Sequence, residues 1–383
     1  MVAEREPASG EHLGGAWPRY DAAVLGLRNY WYPVLFSRQL GRQPHALTLC
    51  GERIVLVRDG GTAYALGDRC PHRGVPLSQG RCAFPGMLTC AYHGWTYNLA
   101  TGDLVAALTD GPDSPICGKA SVRVPTYPVA ERAGLIWVYV GELPPPPVEE
   151  DIPDELLEPN LVLEGRIQLR PGNWRYAAEN GIDEGHARYL HRGAVWTFFR
   201  RLPAWTKSVR LEPSEDGKWM WRVRGEAIFE DTFPRIGPWP PRERRRYRSA
   251  KSIYHQLGIR LPATLMNGQQ GWTDYEIWVP VDADHHLALL LAITHRRGLP
   301  ALRFRLWYRL WARWFFHGQF NGQDQWMISL MDSPPERLYR PDASITAWRK
   351  YVHERARSAG GAASHGASAA EADEVARDAV TSR

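Results

Sequence analysis

Long apolar runs are missing from these 383 residues. No stretch reaches the ~18 uninterrupted apolar residues that a membrane span needs. The most aromatic segment, residues 301–316, is broken by Arg303, Arg305, Arg309 and Arg313. The first residues carry acids and no apolar segment, so no secretory leader is expected. Cysteine is scarce: five in 383 residues do not make a disulfide framework, and a reducing cytoplasm is the expected location. Flavin and nicotinamide fingerprints are absent, as is any second ferredoxin-like cysteine set. Charge of one sign is lacking too. With 47 basic against 42 acidic residues the net charge is +5, so nothing in the balance asks for a nucleic-acid partner. The densest basic run, RERRRYR at residues 242–248, contains a Glu and lies beside Pro-rich sequence. It reads as a solvated loop, with an acidic protein partner as the alternative.

What is present is ordinary in amount and unusual in kind. Hydrophobic residues make up 44% of the chain, enough for a sizeable core, and 17 of them are Trp. Residues 1–28 form an N-terminal segment with a short helix expected at residues 20–27. From residue 29 to about 145, short apolar runs at 54–57, 63–66, 87–90 and 135–140 are punctuated by Gly, Pro and Asp, which predicts a compact antiparallel β domain. A Pro-rich, acidic stretch at 142–153 reads as a semi-rigid linker, its acidic part on the surface. A second, α+β domain is expected over residues 154–357. Its strands fall at 161–169, 219–229, 253–265, 272–281 and 286–294, and its helices at 174–189, 299–331 and 343–356. The aromatic and Arg-rich segment 301–316 reads as a packed amphipathic helix, with a pocket lid or a membrane-surface contact as the lesser alternatives. Residues 358–383, rich in Gly, Ala and Ser, read as a flexible tail.

Four residues then stand out. Cys70-Pro-His72 is followed seventeen residues later by Cys90-Ala-Tyr-His93. Each pair places one thiolate and one imidazole on a tight turn, and two such turns clasp a metal between them. A Cys2His2 set suits zinc or iron–sulfur. A [2Fe–2S] centre with two His in place of two Cys fits the one-Cys, one-His split between the loops. Gly74 and Gly94, each just past a loop's His, fit close backbone approach. Cys50, Cys82 and Cys117 lie outside the pattern and read as buried apolar thiols.

In this text, CPHRGVPLSQG…CAYHGWTYN, the chain resembles the terminal (α) subunits of the Rieske non-haem iron ring-hydroxylating oxygenases. It is most similar to their α3 group, typified by carbazole 1,9a-dioxygenase. The stretches YDAAVLGLRNYWYPVLFS and ITAWRKYVHE carry the likeness to the two ends, about residues 17–355. The resemblance implies an antiparallel β Rieske domain followed by an α+β helix-grip (START-like) catalytic domain. It also implies a head-to-tail homotrimer, a [2Fe–2S] cluster on Cys70, His72, Cys90 and His93, and a ferredoxin or flavin reductase as electron donor.

A second constellation lies in Glu179-Asn180-Gly-Ile-Asp183-Glu-Gly-His186-Ala-Arg-Tyr-Leu-His191. Non-haem Fe(II) oxygenases hold iron with two His and one carboxylate on one face. Asp183 and His186 share a helix face, but His191 is about 140° away from His186 at 3.6 residues per turn. One iron needs the helix to end or distort between them. The resemblance assigns the iron to His186 and His191 and makes Asp183 the bridge that joins an iron-bound His to a Rieske His of a neighbouring subunit. It places the third ligand on a long C-terminal helix, which points to Asp324, with Asp332 as runner-up. Asn180 resembles a pocket residue. Two departures stand against the α3 group: the gap between the two iron His is longer, and residues 203–266 differ.

The implied activity is O2 activation at a mononuclear iron and hydroxylation of a cyclic or polycyclic compound. Monooxygenation is favoured over cis-dihydroxylation or demethylation. Arg69, Arg73 and Arg81 near the loops would attract an acidic ferredoxin, with simple solvated charges as the alternative. Two other classes remain: a non-catalytic Rieske carrier, with two irons per chain instead of three, and a colourless zinc-stabilised binding module.

Overall fold

The computed structural model describes residues 17–111, 113–195, 209–224, 227–228, 246–247, 257–269, 271–331 and 336–357. The expectations for residues 1–16, for most of the basic run, for Asp332 and for the tail from 358 lie outside the described residues.

A short helix α1 (Pro18–Ala22) opens the chain; it stops before Leu25 and Gly26, earlier than the sequence suggests. Ten short strands follow: β1 (Tyr30–Phe36), β2 (His45–Leu49), β3 (Glu52–Asp59), β4 (Thr62–Gly67), β5 (Met87–Thr89), β6 (Trp95–Asn98), β7 (Leu104–Ala107), β8 (Thr126–Tyr127), β9 (Val129–Arg132) and β10 (Leu135–Val140). They form three small antiparallel sheets, ordered β1-β10-β9, β2-β3-β4-β8 and β5-β6-β7. Val55, Val57, Leu66, Leu77, Leu88, Tyr97 and Leu104 pack a core of their own beneath Cys70 and Cys90. β1 and β10, buried along their whole lengths, instead join the core of the second half of the chain.

The Pro-rich stretch, expected as a semi-rigid linker, is anchored at part of its length. Glu149, Glu150 and Asp154 are exposed as expected, whereas Val148, Asp151 and Ile152 are buried. Asp151 accepts a hydrogen bond from the Trp31 amide at 2.9 Å and pairs with Arg357 at 2.9 Å, so its carboxylate has partners that offset burial. The helix α2 (Asp154–Leu157) follows it.

The second half is built on a seven-stranded antiparallel sheet. Its strands are β11 (Val162–Pro171), β12 (Val209–Pro213), β13 (Trp219–Arg224), β16 (Leu257–Arg260), β17 (Thr264–Gln269), β18 (Trp272–Pro280) and β19 (His285–Thr294), in the order β11-β19-β18-β17-β16-β13-β12. A two-residue pair, β14 (Ala227–Ile228) with β15 (Arg246–Tyr247), stands apart. Strand β19, between β11 and β18, reads HHLALLLAIT and is buried over its last seven residues, as a strand covered on both faces must be. Helix α3 (Trp174–Ile182) packs on β16, β17 and β18, with Trp174, Ala177, Ala178 and Ile182 in the core. A continuous helical segment, residues 298–328, contains α5 (Gly298–Trp307), two π-helical stretches (Tyr308–Ala312 and Phe315–Phe320) and α6 (Asn321–Ile328). The last helix is α7 (Ala343–Arg355). This is an antiparallel β domain followed by an α+β domain.

Candidate metal centres

The two Cys/His loops share one backbone plan. The Cys70 amide donates to Val75 O at 2.9 Å and the Gly74 amide to Cys70 O at 2.8 Å. In the second loop the Cys90 amide donates to Trp95 O at 2.8 Å and the Gly94 amide to Cys90 O at 3.2 Å. Gly74 and Gly94 sit at φ +75° and +65°, the left-handed region a side chain disfavours. Both glycines are thus required by the turn itself. Both thiols are buried, at 2% and 4% exposure, while His72 is exposed and His93 half-exposed. The two imidazoles face each other at the outer rim, ring centroids 4.5 Å apart, with His72 stacked on Trp95 at 4.7 Å. Tyr97 OH lies 3.2 Å from Cys70 Sγ. Burial pushes the Cys70 thiol up, and the Tyr97 hydroxyl opposes it. Two buried thiols and two imidazoles at the rim fit the donor set that would hold a [2Fe–2S] cluster. Cys50 is buried, its thiol pushed up to about 12 by burial; Cys82 and Cys117 are only half-buried.

The second constellation closes across the molecule. Helix α3, capped by the Asn173 side chain, ends at Ile182. The sequence expectation of one helix through residue 189 is corrected here. Asp183 takes an extended backbone (φ −76°, ψ 111°), and its Oδ1 accepts from the Gly185 amide at 2.7 Å, a turn that competes with helix. A short helix α4 (Ala187–Leu190) and one 3-10 turn (His191–Gly193) follow. The break swings His186 and His191 together, ring centroids 5.3 Å apart.

From the far helix, Asp324 on α6 meets both. Its Oδ1 lies 3.3 Å from His186 Nε2 and 3.1 Å from His191 Nε2. One ligand atom from each of the three comes within 4.8 Å of the others. Asp324 Oδ1 is buried, and neither approach has the geometry of a hydrogen bond. Ligands at about 2.1 Å from a metal and at right angles to one another stand about 3 Å apart, so the observed spacing fits one face of a coordination shell. The opposite ring nitrogens are occupied. His186 Nδ1 lies 3.3 Å from Asp183 Oδ2, and His191 Nδ1 lies 3.0 Å from Gln323 Oε1. Both acceptors favour the Nδ1–H tautomer and leave each Nε2 lone pair toward Asp324. Phe320 stacks on His191 at 3.8 Å and fixes its plane. Burial disfavours a charged His186, yet the Asp183 and Asp324 carboxylates outweigh it and lift the metal-free ring to about 9. Burial likewise opposes ionisation of Asp324, but the two imidazoles hold it well below the usual carboxylate range.

Among the residues singled out in the sequence, Asn180 lies half-buried on the last turn of α3, one turn before Asp183. Glu179 is turned away from the metal site. Tyr20 OH donates to it at 2.6 Å and Arg349 at 2.7 and 2.9 Å, which ties α3 to α7. Gln323 went unrecognised in the sequence; its position beside Asp324 is the one signal that pointed to it. So did a buried layer under the site. Glu276 on β18 accepts from Asn321 Nδ2 at 2.8 Å, and burial with the nearby Asp274 and Asp324 charges raises it to about 8.

Residues 30–128 match the Rieske [2Fe-2S] domain family, and residues 139–359 match the homotrimeric ring hydroxylase family. The chain is similar to the terminal oxygenase component CarAa of carbazole 1,9a-dioxygenase from Metapseudomonas resinovorans: 31% identity over 369 residues, 88% of this chain and 93% of that protein. A 3-chlorobenzoate-3,4-dioxygenase oxygenase subunit from Comamonas testosteroni is 38% identical over 174 residues, 44% of this chain and 39% of its own length. Among solved structures, the carbazole-bound oxygenase in its ferredoxin complex of carbazole 1,9a-dioxygenase has a TM-score of 0.76 and 29% identity, covering 89% of this chain and 92% of that one.

Proposed function

Because this chain belongs to the homotrimeric ring hydroxylases that carry a Rieske [2Fe-2S] domain, we propose that it hydroxylates a cyclic or polycyclic organic substrate, adding one oxygen atom. It is the terminal oxygenase component of such a system, and its electrons come from a separate ferredoxin or reductase. The observation that carries the reading is the convergence of His186, His191 and Asp324 within 4.8 Å, in a chain that also presents the paired Cys/His loops. When bound, the cluster and the mononuclear iron supply single-electron transfer and dioxygen activation.

In this reading Cys70, His72, Cys90 and His93 hold the cluster, and His186, His191 and Asp324 hold the iron. Asp183 and Gln323 orient the two iron imidazoles through their Nδ1 atoms. Asp183 keeps 27% of its side chain exposed, so a second imidazole, His72 or His93 of a neighbouring subunit, has access to its carboxylate. Two exposed apolar groups support that docking. Phe84, Tyr92, Val105 and Leu108 surround the cluster loops, and Tyr189, Trp326 and Met327 lie beside the iron site. A head-to-tail contact covers both at once. Arg69, Arg73 and Arg81 are exposed around the loops, where an acidic ferredoxin docks. The functional division is residues 29–145 for the cluster and 154–357 for the iron, with Asn180 toward the substrate.

Dihydroxylation is the second reading, favoured by the relatives whose names carry it. Among the described residues no helix is long and apolar enough to cross a membrane; a cytoplasmic location is our reading. The test is a product screen by mass spectrometry on polycyclic aromatic substrates, with a surrogate ferredoxin, its reductase and 18O2. One labelled oxygen per product supports monooxygenation and two the dioxygenase reading. Electron uptake with no oxygenated product from any substrate would return the chain to the carrier class.

A further inference from the structure

The helical segment 298–328 is apolar on two sides. Phe304, Tyr308, Ala312 and Phe316 form the side buried on the sheet. Leu299, Leu302, Leu306, Leu310 and Trp314 form a second row that faces outward, with Leu310 74% and Trp314 59% exposed. The row runs about 22 Å at 1.5 Å per residue. A helix with two apolar sides is normally covered on both. This row lies apart in sequence from the two patches that the head-to-tail contact joins. Its surroundings are strongly basic. From residue 285 to 323 the sequence has six Arg, at 296, 297, 303, 305, 309 and 313, and no Asp or Glu. Arg303, Arg305, Arg309 and Arg313 are exposed between and beside the leucines. On that flank lies a groove of about 460 Å³, walled by Arg38, Arg166, Arg309, Arg313, Tyr308 and Glu164. Glu164 is occupied by Arg309 at 2.9 and 3.2 Å, which leaves Arg38, Arg166 and Arg313 as the groove's cationic side.

We propose that this face docks the enzyme onto an anionic lipid bilayer, with the Leu299-to-Trp314 row lying in the headgroup boundary and the arginines on the lipid phosphates. A leucine row ending in Trp and flanked by Arg is the composition of a helix that lies in a membrane interface without crossing it. A second protein surface would have to be apolar and acidic together. The bilayer meets both demands with one chemistry, and the groove takes a headgroup phosphate.

The test is co-sedimentation of the cluster-loaded oligomer with vesicles of phosphatidylcholine alone or with about a third phosphatidylglycerol, at low and high salt. The expected result is at least tenfold more protein pelleted with the anionic vesicles, reduced by salt. A Leu306→Glu, Leu310→Glu variant should lose that excess at least tenfold while keeping its oligomeric size and visible spectrum. An Arg303→Gln, Arg313→Gln variant, which keeps every leucine of the row and removes the guanidinium of Arg313 from the Trp314 ring, should lose it in the same direction. Equal pelleting on both vesicle types overturns the proposal. So does a wild-type protein that stays in solution, whether or not the leucine variant breaks the oligomer; if it does, the covering surface is a second copy of the chain.

Discussion

At the scale of single residues, the proposed iron site is defined by what each polar atom has left to bind. Both Nδ1 atoms are taken, by Asp183 and Gln323, and Asp324 Oδ1 is buried with no hydrogen bond. Replacing Asp324 with Ala should abolish turnover and lower the metal content from about three irons per chain to about two, with the Rieske absorbance unchanged. Full activity in that variant would move the ligand role elsewhere. A second residue gives a pH signature. His286 is 1% exposed, and burial lowers it to about 4, its Nδ1 only 2.7 Å from Gly172 O. The unfolded chain binds a proton near pH 6.5 that the folded ring refuses. His286 therefore contributes stability in full above pH 6.5 and loses it progressively as pH falls to about 4. Over that span the loss is about 3 kcal/mol, at ~1.36 kcal/mol per unit. Denaturant unfolding of wild type and His286→Gln at pH 7 and pH 4.5 checks this: the gap between them should narrow in acid.

At the scale of elements, α3 owes its position to one ion-pair cluster. Arg349 on α7 makes bidentate contact with buried Glu179 and also pairs with Glu336 at 2.7 Å. Removing Arg349 leaves Glu179 a buried charge whose remaining side-chain hydrogen bond, among the described residues, is from Tyr20. Arg349→Ala should cost about 3–5 kcal/mol, or on the order of 10 °C in melting temperature, and Arg349→Lys should recover only part because its ammonium lacks the fork. Calorimetry of the three proteins decides it. Elements also show where the sequence was legible. Strands with alternating or fully apolar text, such as β3, β10, β18 and β19, lie where expected, because burial writes itself into the residues concerned. The paired Cys/His loops stand out for the same reason, since the donors sit within a few residues of each other. Partners far apart in sequence leave no such mark: Glu179 and Arg349 are separated by 170 positions, and Gln323 is an amide with no spacing signature. The end of α3 at Ile182 was missed because Asp183's turn is a side-chain effect that apolar periodicity does not record. The second apolar row on residues 299–314 was hidden by the first, as periodicity alone does not say how many faces are covered.

At the scale of the whole molecule, the reading of Asp183 makes a trimer the smallest working unit. Hybrid trimers test it. One variant, Cys90→Ser, lacks the cluster; the other, Asp324→Ala, lacks the iron; neither should turn over alone. Refolded or co-expressed as mixed rings, about a quarter of the head-to-tail contacts should unite a good cluster with a good iron, giving roughly that share of wild-type rate. No activity in the mixture would mean that electrons stay within one chain. The molecule is also bound up on itself at its extremes. Arg19 donates to His353 O at 3.1 Å, Arg349 reaches Glu179 beneath Tyr20, and Arg357 lies over the Tyr30 ring at 4.5 Å while donating to Asn29 O at 3.0 Å. The first helix and the last are thus neighbours, and the path of the chain is nearly a closed circle. A circle has no obligatory starting point. A circular permutant that joins these two regions by a linker and opens instead at the exposed turn around Gly217 keeps every strand pairing, so the order in which the ribosome delivers cluster and iron domains is separable from the architecture they share.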